Sequence, residues 1–474
     1  MRTILSSLLV ALALTGCSLM PPLDKPAAPI PSTFPQVESA KTETQTAAIG
    51  WRNMFPDPAL QRLIETALDN NRDLRVATLN VQAVRAQFGI QESARLPQVD
   101  AGGSVSRQRT AANAKVNPAT SAQVETQYGL NAGFSAFEID LFGRARALSQ
   151  AAFARYLASV DGRRAAQISL IAAIADAYFA ERLAREQLAL SRQTLADWQQ
   201  SLDLARRLKA AQQNSGLDIA QAEGQVAAAE ADQEGRSRAL DRARNALVLL
   251  IGADIPADIL ADLPAGQPLN ERAVLTQLPA GLPSDLLTRR PDILQAEQVL
   301  IAANADIGAA RAAFFPRLSL TGTAGYSSNA LSKLFSGGQQ VWAFTPQITL
   351  PIFTAGRLDA ELDLAEIRKS SAVAEYERSI QTAFREVADG LAGSTTYRRQ
   401  IAAQARVVAT AERRLELSTL RYRTGLEGRL ELLDAQRQLY SARQTQLDLR
   451  KDEIGNAIAL YKALGGGLAE TDTP

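Results

Sequence analysis

The sequence predicts a fold in two parts, membrane β-strands joined to very long α-helices, written twice in tandem. Three observations predict it: an ungapped internal repeat, segments alternating with period two, and proline-free stretches carrying apolar residues at sevens. Asp73 to Gly103 aligns with Asp292 to Gly322 at a constant offset of 219, and Gly143 to Gly252 aligns with Gly356 to Gly465 at an offset of 213. Gly89 then matches Gly308, Pro97 matches Pro316, Asp176 matches Asp389 and Gln225 matches Gln438. The offset falls by six between the blocks, so the connection joining them is six residues shorter in the second copy, as loops vary.

The chain opens on an address. Met1-Arg2-Thr3 is a short positive start, and Ile4 to Ala13 is an apolar stretch too short to span a bilayer as a helix. Leu14-Thr15-Gly16-Cys17 resembles a bacterial lipoprotein cleavage box, and Cys17 is the only cysteine. The expectation is a signal peptide over 1–16 and an N-palmitoyl, S-diacylglycerol anchor on Cys17. Ser18, rather than an aspartate, points the lipoprotein to the outer membrane. A lone cysteine makes neither an internal disulfide nor a zinc cage. Pro21, Pro22, Pro26, Pro29, Pro31 and Pro35 make 17–50 a tether of extended, polyproline-type backbone.

Composition excludes several classes. Lys plus Arg (51) nearly cancels Asp plus Glu (50), against the basic excess of a nucleic-acid binder. There is no histidine, the commonest general base and metal ligand, and no nucleophile–base pair or phosphate loop. The expectation is no enzyme, no cofactor and no metal.

Each repeat (51–252 and 284–467) reads alike. A helix, 71–96 or 290–315, ends at Pro97 or Pro316, which cannot continue it. A strand follows, about 98–109 or 317–328. In the second copy Leu318, Leu320, Gly322, Ala324 and Tyr326 share one face, with Ser319, Thr321 and Thr323 on the other. After a variable loop comes a second strand, about 127–141 or 341–353. Trp342, Phe344 and Ile348 alternate there with Ala343, Thr345, Gln347 and Thr349. In the first copy Tyr128, Leu130 and Phe134 share one phase and Phe137, Ile139 and Leu141 the other, which predicts a bulge. Pro346 and Pro351 sit awkwardly in a strand. Long helices follow over 144–212 and 357–425, then returning helices over 217–250 and 429–464. Leu188, Leu195 and Leu202, and Val408, Leu415 and Tyr422, recur at sevens, the mark of supercoiled packing. The stretch 253–283 is a mixed inter-repeat segment, and 468–474 a tail.

Two strands per copy make four per chain, and a membrane barrel needs about eight. An open edge in lipid leaves backbone groups unpaired at several kcal/mol each. The strands are therefore soluble or shared among chains. Two chains would supply eight, three would supply twelve. The oily alternation with aromatic residues near segment ends favours lipid contact, and the Ser, Thr, Gln and Gly of the other face suit a water-filled lumen.

Five segments carry a resemblance: Trp51-Arg52-Asn53-Met54-Phe55-Pro56-Asp57-Pro58; Leu287-Thr288-Arg289-Arg290-Pro291-Asp292-Ile293; Ala302-Ala303-Asn304-Ala305 through Phe314-Phe315-Pro316; Leu432-Leu433-Asp434-Ala435-Gln436-Arg437; and Tyr461-Lys462-Ala463-Leu464-Gly465-Gly466-Gly467. In this order, from about residue 50 to the end, they resemble the TolC-like outer-membrane efflux proteins, lipoprotein branch of the OprM and NodT type. The resemblance implies a homotrimer with a twelve-stranded outer-membrane barrel and a twelve-helix periplasmic barrel. It implies a periplasmic adaptor and an inner-membrane pump of the RND or ABC type as partners. The function it implies is a passive exit duct for drugs or other toxic small molecules. A type I protein-secretion channel and a non-conducting envelope lipoprotein are the alternatives.

The resemblance also implies an iris gate where the helix hairpins turn. Asp434 and Arg437 match the family's gating acid and arginine, beside Tyr422. Glu431 and Asp218 hold one repeat position (431 − 218 = 213), where relatives often carry acids. The repeat partner of Arg437 is Gly224, so gate polarity differs between copies. The first tip, Gln212 to Leu217, departs from the family by lacking the Thr424-Gly425 signature. Threefold symmetry would ring each acid around one axis, and Arg437, three residues after Asp434, faces the same way. It can pair with an acid of its own chain or the next; a solvated pair worth a few tenths of a kcal/mol is the plain alternative. Arg289-Arg290 reads as a helix-start and packing feature, and Trp51 as an anchor for the tether.

Overall fold

The computed structural model describes residues 19–31, 34, 49–110, 123–213, 215–253, 269, 274–276 and 290–470. The signal peptide, Cys17, Arg289, most of 253–283 and the last four residues lie outside them. The described elements are α1 (Trp51–Met54), α2 (Pro58–Asn70), α3 (Arg72–Ser93), β1 (Asp100–Thr110), β2 (Gln123–Ile139), α4 (Arg144–Ala210), α5 (Gly216–Ile251), α6 (Pro291–Ala312), β3 (Arg317–Ser328), β4 (Gln340–Thr349), α7 (Arg357–Arg423) and α8 (Arg429–Ala463). From α3 to α5 the order of elements is that from α6 to α8. Both long helices, α4 and α7, run 67 residues, ~100 Å at 1.5 Å per residue. Among the described residues no helix is long and apolar enough to cross a membrane.

The chain divides into two compact units. One takes residues up to Ala27, Val81–Ser159 and Ala296–Tyr376. Its centre is a four-stranded antiparallel sheet in the order β1-β2-β3-β4. Register places Leu318 opposite Ile348, Gly322 opposite Phe344 and Ala324 opposite Trp342, so the apolar residues of β3 and β4 share one face. On β2, Leu130 faces Tyr326 and Phe134 faces Gly322; then the register shifts, and Phe137 faces Leu320 and Ile139 faces Leu318. The shift, with Ala136 at φ 53°, is the bulge the phase change predicts, and it returns Phe137 and Ile139 to the apolar face. Gly322 lies between Phe134 and Phe344, and a Cβ there would meet the Phe134 ring at 2.7 Å. β4 ends at Thr349 rather than at 353, so Pro351 lies past it; Pro346 stays within it, in the last strand of this chain's own sheet. β2 begins at Gln123, four residues before the expected start, because its ladder with β1 extends to Thr110.

A described piece of the tether also packs in this unit. Met20 lies against Ala151, Ala154, Ala302 and Ala305; Asn304 donates to the Pro21 carbonyl at 2.9 Å; and Lys25 pairs with Glu297.

The other unit takes Ala28–Asn80, Val160–Gln295 and Glu377 onward. Here the sevens pack as supercoiled helices do. Leu195 and Leu202 of α4 join Trp198, Ala222, Val226 and Ala229, while Val408 and Leu415 of α7 join Ala411, Leu439 and Ala442. Five members of the first cluster, Leu195, Trp198, Leu202, Val226 and Ala229, match the five of the second at the repeat offset (408 − 195 = 213; 439 − 226 = 213). The largest fully buried side chains include Tyr178, Tyr461, Phe55 and Phe179. The Tyr461 hydroxyl donates to the Ile49 carbonyl at 2.7 Å, and that of Tyr178 to Asp57 at 2.6 Å. Burial, then the bond to Asp57, pushes the Tyr178 hydroxyl above its ordinary range, so it stays a donor. Trp51 is buried, and its N–H bonds the Ala469 carbonyl at 3.0 Å. Arg290, also buried, donates to Asp292 at 3.0 Å, Glu386 at 2.8 Å and the Ala463 carbonyl at 3.0 Å. It starts α6 and satisfies the end of α8, which agrees with a packing role.

Candidate functional site: the hairpin tips

Both hairpins turn by one mechanism. At the second tip the N–H groups of Thr424, Gly425 and Leu426 bond the carbonyls of Leu420, Tyr422 and Arg421. At the first, those of Ala211, Gln212 and Gln213 bond Arg207, Lys209 and Leu208, each shifted by 213. The turn needs a left-handed residue. Gly425 supplies it at φ 71°, and Gln212 takes the same place at φ 60°. The first tip thus lacks the glycine but keeps the turn, and α4 and α7 stop two residues short of the expected 212 and 425. Gly425→Ala should destabilise its hairpin by about 1 kcal/mol, a backbone cost alone because nothing lies within 4 Å of the added Cβ. Gln212→Gly should stabilise the first hairpin by a similar amount. Hydrogen exchange at the two turns measures both.

The returning helices start differently. Ser215 caps α5 in a capping box: its hydroxyl accepts from the Asp218 N–H at 3.3 Å, and Asp218 accepts from the Ser215 N–H at 2.9 Å and hydroxyl at 2.7 Å. The hydroxyl bond first, then the N–H bond, with the Arg429 charge behind them, hold the Asp218 carboxyl below its ordinary value. The Asp218 contribution is therefore full above the ordinary carboxylate range and lost as pH falls through its lowered folded value. Ser215→Ala should cost about 1 kcal/mol and move the Asp218 titration upward, visible as faster exchange over 215–219 and a shifted carboxyl resonance. At the second tip the cap is Gly428, which has no side chain to bond, and Glu431 stands exposed in the first turn of α8.

Asp434 accepts from Arg414 of α7 at 2.7 Å and from Gln438 at 3.1 Å. Its same-chain partner is thus Arg414, across the hairpin, and Arg437 is exposed without an ion pair among the described residues. Tyr422 is buried, with the Arg429 guanidinium over its ring at 6.0 Å. Arg429, 4% exposed, also reaches the carbonyl of Ser201 at 3.4 Å and its hydroxyl at 3.3 Å, linking the two hairpins. So Asp434, Tyr422, Glu431 and Arg437 gather at the second tip, and Arg429 brings Asp218 into its field. Sequence reasoning missed Ser215, Arg414 and Arg429. The Ser215-x-x-Asp218 signature was available for the first; a basic residue on each arm of the hairpin was the only hint of the second.

Strands with one oily and one polar face, repeated with long coiled helices, define an outer-membrane channel protein. The chain belongs to the outer membrane efflux protein family, whose model matches residues 63–253 and 282–466, one match to each repeat. It is 45% identical over 476 residues to the toluene efflux pump outer membrane protein TtgC of Pseudomonas putida, covering 99% of this chain and 96% of that one. It is 42% identical to the outer membrane protein OprJ of Pseudomonas aeruginosa, covering 98% and 96%. Among solved structures it resembles the open state of the MtrE outer membrane channel of Neisseria gonorrhoeae (TM-score 0.87, 39% identity, 97% of this chain and 100% of that one). It also resembles CusC (TM-score 0.84, 41% identity, 95% and 100%). Its fold is that of the TolC-like channels, a family of channel-forming efflux proteins, and it is an outer-membrane efflux component.

Proposed function

We propose that three copies of this chain join β4 of one to β1 of the next. They close a twelve-stranded outer-membrane barrel and pool their α4, α5, α7 and α8 into a twelve-helix periplasmic barrel. The observation that carries this is the open sheet of four strands with an uncovered apolar face: Trp342 is 80% and Ile348 72% exposed, which only lipid accommodates at an acceptable cost. The duct is passive. Its cargo is drugs or other toxic small molecules, as the name of the toluene-efflux relative suggests, and an inner-membrane pump of the RND or ABC type drives it through a periplasmic adaptor. Cys17 carries the lipid anchor. The acids Asp434, Glu431 and Asp218, with Arg437 and Tyr422, form the periplasmic gate.

Purified full-length protein placed in planar bilayers tests the reading. A trimer by mass and discrete channel conductance are expected; a conduction-silent monomer sinks it. A toxicant susceptibility profile of a deletion strain reads the cargo, and unchanged susceptibility combined with lost protein secretion turns the assignment to type I export.

A further inference from the structure

The apolar face of the sheet continues past its last strand residues. Phe335, in the turn between β3 and β4, sets its ring edge-on against Tyr326 at 5.4 Å and 65°. Tyr326 pairs with Leu130 and so lies on the apolar face. This turn therefore folds over the outer face of the sheet, not across the polar one. It leaves Phe335 69% and Leu331 64% exposed, in continuity with the band formed by Tyr326 and Trp342.

Cations cap the same rim. Val105 pairs with Tyr128, Arg107 with Thr126 and Arg109 with Val124, so alternation keeps Arg107 and Arg109 on the face of Tyr128. They stand about 7 and 13 Å beyond Val105 along the strand. Lys333 is exposed in the β3–β4 turn. None of the three has an ion-pair partner among the described residues, and Glu125, paired with Gln108, falls on the opposite face. Aromatic side chains at the interface with uncompensated cations just beyond them match acyl chains below and phosphate above.

We propose that this rim is a binding site for the phosphorylated glycolipid of the outer leaflet, the lipid A class. Leu331, Phe335 and Trp342 pack its acyl chains, and Arg107, Arg109 and Lys333 hold its phosphates. Arginine forks grip a phosphate monoester in bidentate fashion, and a doubly phosphorylated sugar offers more charge than a phosphodiester lipid. The proposal rests on the lipid-facing reading of the apolar band.

The test is native mass spectrometry of the full-length assembly titrated with diphosphoryl lipid A, monophosphoryl lipid A or phosphatidylglycerol, with conductance recorded on the same preparation. Wild type should prefer diphosphoryl lipid A. The triple variant Arg107→Ala, Arg109→Ala, Lys333→Ala should bind it roughly a hundred-fold more weakly. Phe335→Ala should weaken all three lipids alike. Should the triple variant fail to assemble, the single variants are titrated, each expected to lose about five-fold. Equal affinity for phosphatidylglycerol, or full lipid A binding by conducting variants, overturns the proposal. A wild type that does not conduct removes the channel reading instead, and the rim site with it.

Discussion

Phe344→Arg should remove the assembled protein from the outer membrane, while Thr345→Arg, one residue on, should leave it there. Phe344 pairs with Gly322 in the middle of the apolar face; Thr345 pairs with Thr321 on the polar face. An arginine facing lipid near the midplane costs about 2–4 kcal/mol, and a symmetric trimer incurs it three times, roughly 6–12 kcal/mol per assembly. That is comparable with the whole stability of a domain. In the lumen the same side chain stays hydrated, so Thr345→Arg should change ion selectivity and little else. Outer-membrane fractionation followed by oligomer electrophoresis measures the contrast. Equal loss in both variants would show that the two faces are not distinguished by solvent, and the barrel reading would fall.

What the sequence made legible follows from the range of each interaction. Strands, helices and the β2 bulge are written locally, as period and phase, and the phase change between Phe134 and Phe137 locates the bulge within a turn of chain. The repeat adds a second copy of each signal. Strand ends were less legible, because pairing decides them: β4 stops at Thr349 although Leu350 and Ile352 keep the alternation. The tips were read in residue type but not in contact. Arg414 and Asp434 are 20 residues apart, and their meeting depends on the register of α7 against α8, which no local pattern carries. No local pattern marks Arg429, yet it is buried over Tyr422, a position the packing of two hairpins creates. The αL turn at Gln212 was hidden because a strained glutamine holds a place that glycine would announce.

If the second tip is the gate proposed above, Asp434→Ala should loosen it, and Arg414→Ala should do so to the same degree. The Asp434–Arg414 pair is about two-fifths exposed on each side, so one copy contributes only about 0.5–1 kcal/mol. Three copies acting on one iris multiply that to roughly 2 kcal/mol, about a thirty-fold shift from closed to open. Single-channel recording should show it as a higher open probability or a higher resting conductance. If the pair acts as a clamp inside each hairpin, Asp434→Ala with Arg414→Ala adds nothing to either alone. Arg437 then separates the two possible latches. It is exposed and makes no ion pair among the described residues, so an Arg437→Ala effect of similar size points to an acid of the neighbouring subunit, with Glu431 the exposed candidate. An Arg437→Ala channel indistinguishable from wild type confines the clamp to the Arg414 pair. Unchanged conductance in Asp434→Ala, Arg414→Ala and Arg437→Ala together takes the gate away from these residues.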